Sequence, residues 1–272
     1  MFDFLLKTPN RVAFTIFGID IMWYGLLIGT GMVLAVLLAC KRAKKHGLSE
    51  DRMLDVAIWS IPLGVVGARL YYVLFQWDSY KDNLLKIFAI REGGLAIHGG
   101  ILVGVGLALI LLKFVWKEDV LRYVDLFMPS IALGQAIGRW GNYFNQEAYG
   151  RETTLPWGML VNGKFVHPTF LYESIWCLLL CLFLVWLTDS GRQKFKGQIL
   201  CLYLILYSME RFFVEGLRTD SLMIGPLRQA QVLSLVLIAL GAGLYAYFSK
   251  HNAKPGGLID GEEEGHRAEG DL

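Results

Sequence analysis

A polar segment at residues 138–150, GRWGNYFNQEAYG, directly follows a long apolar stretch of the chain. Its three glycines permit a tight backbone, so an arginine, amides and a glutamate could point at one place. An arginine at membrane depth is costly unless it is paired or faces a wet cavity, which makes Arg139 a candidate functional residue. The sequence leaves open the alternative that Arg139 is interfacial and extends to lipid headgroups.

Other apolar segments carry polar groups at a matching end. His98 lies about one turn inside its segment, and Tyr24 lies in the outer part of the first one. Tyr207, Arg211 and Glu215 are spaced i, i+4 and i+8, which places them on one helix face. Taken singly, His98 could be a satisfied polar residue between helices, Tyr24 an interfacial aromatic, and Arg211 and Glu215 a mutually neutralising pair. Because four segments deliver such groups to the same depth, we predict one shared site.

The residue types narrow the chemistry of that site. Two arginines, Arg139 and Arg211, suit a phosphate, because guanidinium groups bind its oxygens in pairs and stay charged. His98 could take or give a proton near neutral pH. Glu210 and Glu215 are both candidates to pair with Arg211. No segment resembles a metal site, a nucleotide-binding loop or a serine triad, so we predict a site for a phospholipid headgroup. Spacing alone does not indicate whether a reaction occurs there.

Apolar segments must position these groups. The chain is 55% hydrophobic and 18% charged, with a mean hydropathy of +0.46, which is typical of membrane proteins. A spanning helix needs about 20 mostly apolar residues, because lipid cannot satisfy exposed backbone groups. The pattern predicts an all-α, polytopic membrane bundle of about seven helices, the fourth and sixth being the most charged. The predicted spans are 17–40, 56–75, 94–112, 120–138, 169–188, 197–214 and 229–248.

The distribution of basic residues predicts the orientation of the bundle. Lysine and arginine are denser in the connections 41–54, 113–122, 189–197 and 249–254 than in the alternate set, which predicts that these connections are cytoplasmic. The N-terminus is then outside and the C-terminus cytoplasmic. Residues 253–272 lack apolar periodicity, which predicts a disordered cytoplasmic tail. The four cysteines, which lie in or at the ends of apolar segments, are interpreted as small buried hydrophobic residues.

The segment at 138–150 resembles the signature of the bacterial prolipoprotein diacylglyceryl transferases, roughly G-R-x-G-N-F-x-N-x-E-x-x-G. It matches every fixed position except that Tyr143 stands where phenylalanine is usual. Further blocks resemble the family in the family order, and the resemblance covers most of the chain. These blocks are WYG at 23–25, GAR at 67–69, IHGG at 97–100, HP at 167–168, LYE at 171–173 and RFFVE at 211–215.

The resemblance implies an activity and a fold. Enzymes of this family move a diacylglyceryl group from phosphatidylglycerol to the thiol of the lipobox cysteine of a prolipoprotein signal peptide, which forms a thioether and releases glycerol phosphate. This is the first step of lipoprotein maturation, at the outer face of the bacterial cytoplasmic (inner) membrane. The implied fold is a seven-span catalytic domain over 1–252, with a small extracytoplasmic portion at 139–168. The implied partners are the two substrates and membrane lipids; no cofactor, metal or nucleic acid is implied.

The resemblance also assigns roles to residues. Arg139 and Arg211 match the arginines that would hold the phosphate and stabilise it as it leaves, and His98 matches the histidine proposed to activate the thiol. Glu147 is the competing base. The other matched positions are expected to bind substrate: Tyr24, Gly99, Asn142, Glu147, Gly150, Tyr207 and Glu215.

Two other functions stay open. A lipid or anion transporter would also need arginines within the membrane, and a structural or binding protein would tolerate their loss. Release of glycerol phosphate would distinguish the transferase from both.

Overall fold

The computed structural model describes Leu5 and residues 8–90, 93–225 and 227–252. This part of the chain is dominated by seven α-helices, with one short hairpin before the first helix and two between later helices, so the predicted helical class is confirmed. The predicted tail at 253–272 lies outside the described residues. The helices are α1 (Trp23–Lys45), α2 (Glu50–Phe75), α3 (Ile97–Ile110), α4 (Val120–Asn145), α5 (Thr169–Asp189), α6 (Gln198–Leu217) and α7 (Gln229–His251). The strands are β1 (Val12–Ile16), β2 (Ile19–Met22), β3 (Met159–Val161), β4 (Lys164–Val166), β5 (Met223–Ile224) and β6 (Leu227–Arg228).

Within the described residues, five helices are long and apolar enough to cross a membrane. They are α1, α2, α3 with its π-helical end at Leu111–Val115, α5 and α7. The other two, α4 and α6, are the fourth and sixth, which the sequence marks as the most charged. The chain is a multi-pass membrane protein, as predicted, while the orientation of its termini stays a prediction.

Three predicted spans differ from the observed helices by six residues or more at one end. The second was expected from residue 56, whereas α2 begins at Glu50. The first was expected from residue 17, but β1 and β2 pair as a hairpin whose turn is made by Phe17 and Gly18, with φ of 50° and 77°. Its strands are rich in isoleucine, valine and phenylalanine, so hydropathy could not separate this hairpin from the helix that follows. The fourth span was expected to end at residue 138, whereas α4 continues to Asn145. The first half of the polar segment is therefore helical.

The chain divides into two compact units. The first contains Met1–Arg42 and Val124–Leu272, and the second is Ala43–Tyr123. The core of the first unit lies where α4, α5 and α6 pack together, and all four cysteines are buried, in agreement with their predicted packing role. The buried residues of this core are Ala132, Leu180, Cys181, Leu184, Leu187, Ile199 and Tyr203.

A buried carboxylate fixes the start of α6 against α4 in the first unit. Asp125 of α4 accepts hydrogen bonds from the backbone N–H groups of Gly197 and Leu200, at 2.7 and 2.9 Å, and from the side chain of Gln193 at 2.6 Å. The first N–H groups of a helix have no partner within the helix, so an acidic side chain there satisfies and stabilises them. Asp125 therefore fixes the register between the two helices that carry Arg139 and Arg211.

Glycines allow close packing of α2 and α3 in the second unit. A Cβ on Gly67 would lie 2.8 Å from the carbonyl oxygen of Gly99, and a Cβ on Gly64 would lie 3.3 Å from that of Gly100. Small residues at such a contact let helix backbones approach, which is how membrane helices gain packing without a hydrophobic driving force.

Candidate active site

One buried carboxylate on α5 joins the two predicted phosphate-binding arginines. Glu173 Oε2 lies 3.1 Å from Arg139 Nη1, and Oε1 lies 2.8 Å from Arg211 Nη1. The side chain of Glu173 is 2% exposed, and the two guanidinium groups are mostly covered. A buried charge persists when it is paired and hydrogen-bonded, so Glu173 is what allows two arginines to lie side by side.

The face of α6 that the spacing predicted completes this cluster. Arg211 Nη2 lies 2.6 Å from Glu215 Oε2, one helical turn along, and Arg139 Nη2 donates to the Tyr207 hydroxyl at 3.5 Å. The ring of Tyr207 stacks on that of Tyr203, with ring centroids 5.5 Å apart. The structure thus brings Arg139, Tyr207, Arg211 and Glu215 together.

The carboxylate partners of Arg211, left open by the sequence, are Glu173 and Glu215. Glu210 is buried, and neither of its carboxylate oxygens has a hydrogen-bond partner among the described residues. The charge of Arg211 is therefore shared between two carboxylates on different helices.

A second ion-pair layer follows at the end of α6. Arg218 donates from Nε and Nη2 to the two carboxylate oxygens of Asp220, at 2.9 and 2.8 Å, and lies 3.9 Å from Glu215. The hydrogen bonds from Arg218 lower the pKa of Asp220, so that carboxylate stays charged at neutral pH. Arg228 also donates to the backbone carbonyl of Glu215. Glu215 is thus contacted by arginines on both sides.

The turn after α4 orients Glu147. Asn142 and Asn145 donate to the same carboxylate oxygen, Glu147 Oε1, at 3.1 and 3.3 Å, and the Glu147 N–H donates to the Asn142 carbonyl. Gln146 and Ala148, on either side of Glu147, both have φ in the left-handed region, at 53° and 55°. Glu147 is exposed, so two amides hold an accessible carboxylate at the end of α4.

Glycines of the signature lie where neighbours approach closely. A Cβ on Gly141 would lie 2.6 Å from Tyr24 Cδ2, so the start of α1 packs against α4 through the tyrosine ring. A Cβ on Gly150 would lie 2.7 Å from the Cβ of His167, and the Gly150 N–H donates to the His167 carbonyl at 3.0 Å. Tyr24 is therefore placed by its ring against α4, and Gly150 by its backbone against His167.

His98 and Gly99 lie in the second unit. His98 is the second residue of α3 and is exposed, with its ring centroid 6.3 Å from that of Tyr71 on α2. Gly99 is buried against Gly67 in the contact between α2 and α3. Gly99 thus has a packing role within this unit, and the predicted site shared by His98 and the two arginines stays a prediction.

The site residue that sequence reasoning missed is Glu173. It appeared in the sequence analysis only within a family block, with no role, although a charged residue inside an otherwise apolar helix is a signal in itself. In the described part of the chain, no group of three or more His, Cys, Asp or Glu side chains could hold a metal ion. The candidate site therefore consists of arginines, carboxylates, amides and tyrosines.

Comparison with known proteins agrees with the sequence pattern. The family profile described as prolipoprotein diacylglyceryl transferase matches residues 11–247. A protein from Finegoldia magna is 52% identical over 247 residues, which cover 90% of this chain and 98% of that protein. A protein from Clostridioides difficile is 51% identical over 243 residues, 89% of this chain and 97% of that protein. One from Clostridium kluyveri is 47% identical over 248 residues. All three are named phosphatidylglycerol–prolipoprotein diacylglyceryl transferase.

Proposed function

We infer the activity from the family: the chain belongs to the prolipoprotein diacylglyceryl transferase family and is a transferase of the first step of lipoprotein lipidation. We propose that it moves the diacylglyceryl group of phosphatidylglycerol to the thiol of a lipobox cysteine in a prolipoprotein signal peptide. The thiol sulfur forms a bond to the carbon of the diacylglyceryl group that is attached to the phosphate. The bond between that carbon and the phosphate oxygen breaks at the same time, which leaves a thioether and glycerol phosphate. The names of the relatives support both substrates.

The observation that carries this proposal is the pair of arginines on one buried carboxylate. The contacts of Arg139 and Arg211 engage the two terminal nitrogens of each guanidinium once. A guanidinium has five N–H donors, so donors remain on both for the oxygens of a phosphate. As the carbon–oxygen bond breaks, negative charge grows on the leaving phosphate, and fixed cations in a water-poor site stabilise that charge. Glu173 fixes the spacing of the two cations before the substrate arrives.

A thiol must lose its proton before it attacks. A free cysteine has a pKa near 8.5, so a base near the thiol or a positive field is needed to supply thiolate. We propose His98 as the base, or as the group that orients a water acting as base. Glu147 is the alternative, because it is exposed and its carboxylate is oriented by Asn142 and Asn145.

We propose that the reaction occurs in the bacterial inner membrane, with the active site toward the outer leaflet. The density of basic residues on the alternate connections supports an N-terminus outside and a C-terminus in the cytoplasm. In that orientation, the end of α4 with Glu147 and the end of α6 with Arg218 lie on the outer side, within reach of signal peptides that emerge there. Labelling of single cysteines at residues 154 and 192 from outside intact cells tests this orientation; labelling of 192 alone would reverse it.

The decisive assay combines the purified protein with phosphatidylglycerol and a lipobox peptide. Wild type is expected to form thioether-linked lipopeptide and glycerol phosphate, and Arg139→Ala is expected to lose both products. Arg192→Ala is the matched control, because Arg192 is exposed and stacks on Trp186, with its guanidinium carbon 4.8 Å from the ring centroid. A folded wild type that moves phosphatidylglycerol across vesicles without consuming it would instead establish a lipid transporter.

The identity of the base is tested by His98→Gln and Glu147→Gln. The true base should lower turnover by roughly 10²- to 10⁴-fold when replaced, with little effect on phosphatidylglycerol binding. Unchanged turnover in His98→Gln would exclude that residue as the base and transfer the role to Glu147.

A further inference from the structure

Arg69, outside the proposed phosphate site, is a buried arginine surrounded by backbone carbonyl groups. It lies near the end of α2 and is 4% exposed. Its Nε donates to the Ile87 carbonyl at 2.8 Å. Its two terminal nitrogens donate to four more, those of Lys86 at 2.6 Å, Gly93 at 2.7 Å, Gly94 at 3.0 Å and Ala89 at 3.4 Å. Five carbonyl groups of one short segment therefore converge on a single side chain.

The segment that Arg69 binds is shaped to reach it. Gly93 and Gly94 have φ of 89° and 75°, a conformation that favours glycine and that turns their carbonyl oxygens toward the guanidinium. A Cβ on Gly94 would lie 2.8 Å from Cε1 of Tyr72 and would also overlap Arg69. The ring of Tyr80 lies 5.2 Å from the Arg69 guanidinium carbon, which adds a cation–π contact. A guanidinium fits this arrangement because it presents five donors in a plane, whereas an ammonium has three.

The same segment leads into the helix that carries His98. The Ala96 N–H donates to the Ala68 carbonyl at 3.0 Å, and α3 begins at the next residue. Tyr71, two residues after Arg69 on α2, lies beside the ring of His98. Two neighbouring groups of α2, the carbonyl of residue 68 and the guanidinium of residue 69, thus bind the chain before His98, and the ring of Tyr71 contacts His98 itself.

We propose that Arg69 is a positioning residue for His98. By binding the carbonyl groups of residues 86, 87, 89, 93 and 94, it fixes the backbone that enters α3 and thereby the direction of the His98 side chain. This inference rests on the proposed function, in which His98 takes part in activating the thiol. Arginine is required rather than lysine, because a lysine cannot bind five carbonyl groups at once.

Hydrogen–deuterium exchange tests the structural part of the inference without any assay of activity. The probes are the Ala89 and Ala96 amides, which donate to the carbonyl groups of Lys86 and Ala68. In Arg69→Lys and Arg69→Met, these amides should exchange roughly tenfold faster than in wild type, because the segment opens locally. Arg52→Met is the matched control on the same helix, where Arg52 lies over Trp116 with its guanidinium carbon 4.7 Å from the ring centroid. Unchanged exchange at 89 and 96 would overturn the proposal.

A double-mutant cycle tests whether Arg69 acts through His98. Arg69→Lys alone should lower turnover by on the order of tenfold to a hundredfold, with the KM for phosphatidylglycerol unchanged, because a misplaced group costs rate rather than binding. In a His98→Gln background, the same substitution should have less than about a twofold effect, since the group it positions is gone. Equal penalties in both backgrounds would overturn the positioning role, because a purely structural defect does not depend on His98.

The two readouts keep this inference distinct from the proposed function. If wild type forms no thioether product, the proposed reaction fails, and the catalytic part of this inference fails with it, whatever the exchange shows. If wild type is active and the exchange rises but the turnover of Arg69→Lys is unchanged, the proposed reaction stands and the positioning role is wrong.

Discussion

Arg69 of the second unit and the two arginines of the first unit's ion-pair cluster are satisfied in opposite ways. In the second unit, Arg69 donates to five neutral backbone carbonyl groups. In the first unit, Arg139 and Arg211 pair with carboxylates, and they share Glu173 between them. Arg69 uses every nitrogen of its guanidinium to bind backbone carbonyl groups. Arg139 and Arg211 instead make one contact for each terminal nitrogen.

The difference separates an arginine that organises backbone from arginines that can bind an anion. Carbonyl groups fixed in a loop cannot leave, so Arg69 has no donor to offer a substrate. Arg139 and Arg211 each make one contact per terminal nitrogen, so guanidinium N–H groups remain that can bind the phosphate of the proposed substrate. An arginine in an apolar helix marks either role, and only its partners tell which.

The largest expected effect comes from removing an anion-binding arginine. Arg211→Met should lower turnover by about 10²- to 10³-fold, because a fixed cation no longer meets the leaving phosphate. It should also lower the free energy of unfolding by about 3–5 kcal/mol, because the buried carboxylates of Glu173 and Glu215 lose a partner. Turnover on phosphatidylglycerol and thermal unfolding in one detergent measure the two effects.

The double variant Arg211→Met/Glu215→Gln separates stability from chemistry. It should recover part of the stability, since the carboxylate that loses its 2.6 Å contact with Arg211 is gone, and none of the turnover. Recovery of turnover in the double variant would contradict the assignment of Arg211 to the phosphate.

A smaller effect is expected from the shared carboxylate. Glu173→Gln keeps both arginines but removes the group that fixes their spacing, so turnover should fall by roughly tenfold to a hundredfold. The KM for phosphatidylglycerol should stay equal or fall, because the site gains one net positive charge. Kinetics at several lipid concentrations separate the two constants.

Glu210→Gln is the matched control for Glu173→Gln. It also removes a buried carboxyl group near these arginines, but one whose oxygens have no hydrogen-bond partner among the described residues. Its turnover should change by less than about twofold. Equal losses in the two variants would mean that any buried carboxyl group here is needed and that the bridge between the arginines is not the cause.

The helices were predictable because a spanning segment has to be apolar along its whole length. The predicted span 169–188 corresponds to α5 (Thr169–Asp189), and α7 begins at the predicted residue, Gln229. The boundaries of the first and fourth spans were predicted wrongly for two reasons. A β-hairpin has the same hydropathy as the helix that follows it, and a helix continues through glycines at which it was expected to end. The β1–β2 hairpin is as apolar as the helix after it, and α4 continues past Gly138 and Gly141.

The candidate site was predictable where one helix supplies it. The spacing of Tyr207, Arg211 and Glu215 placed them on one face, and Arg211 and Glu215 do pair. Glu173 was missed as a site residue because its partner Arg211 lies 38 residues away in sequence, so the pair exists only in the folded chain. Gly99 was expected to bind substrate, and its burial against Gly67 could not be deduced from one glycine in a motif.

The close packing of α2 and α3 gives the next prediction. A Cβ on Gly99 would overlap the carbonyl oxygen of Gly67 and the Cβ of Tyr71, so Gly99→Ala should cost about 1–3 kcal/mol of stability. Gly106→Ala on the same helix is the control, because a Cβ there meets nothing within 4 Å, and it should stabilise the helix by about 0.5–1 kcal/mol. Thermal unfolding compares them; equal midpoints would remove the packing role of Gly99.

The smallest expected effect concerns a histidine in the first unit, outside the ion-pair cluster. The Tyr172 hydroxyl accepts a hydrogen bond from Trp157 Nε1 at 3.0 Å and lies 3.2 Å from His167 Nδ1, so its own proton can go to a neutral imidazole. Burial, and then the charge of Arg151, lower the pKa of His167. The folded chain therefore binds fewer protons than the unfolded chain at mildly acidic pH, and this contribution to stability is lost as the pH falls from about 6.5 through the lowered pKa.

His167→Gln keeps a polar side chain but cannot titrate, so its unfolding midpoint should fall less than that of wild type between pH 7.5 and pH 5. If both midpoints fall by the same amount, the acid sensitivity of the protein comes from groups other than His167.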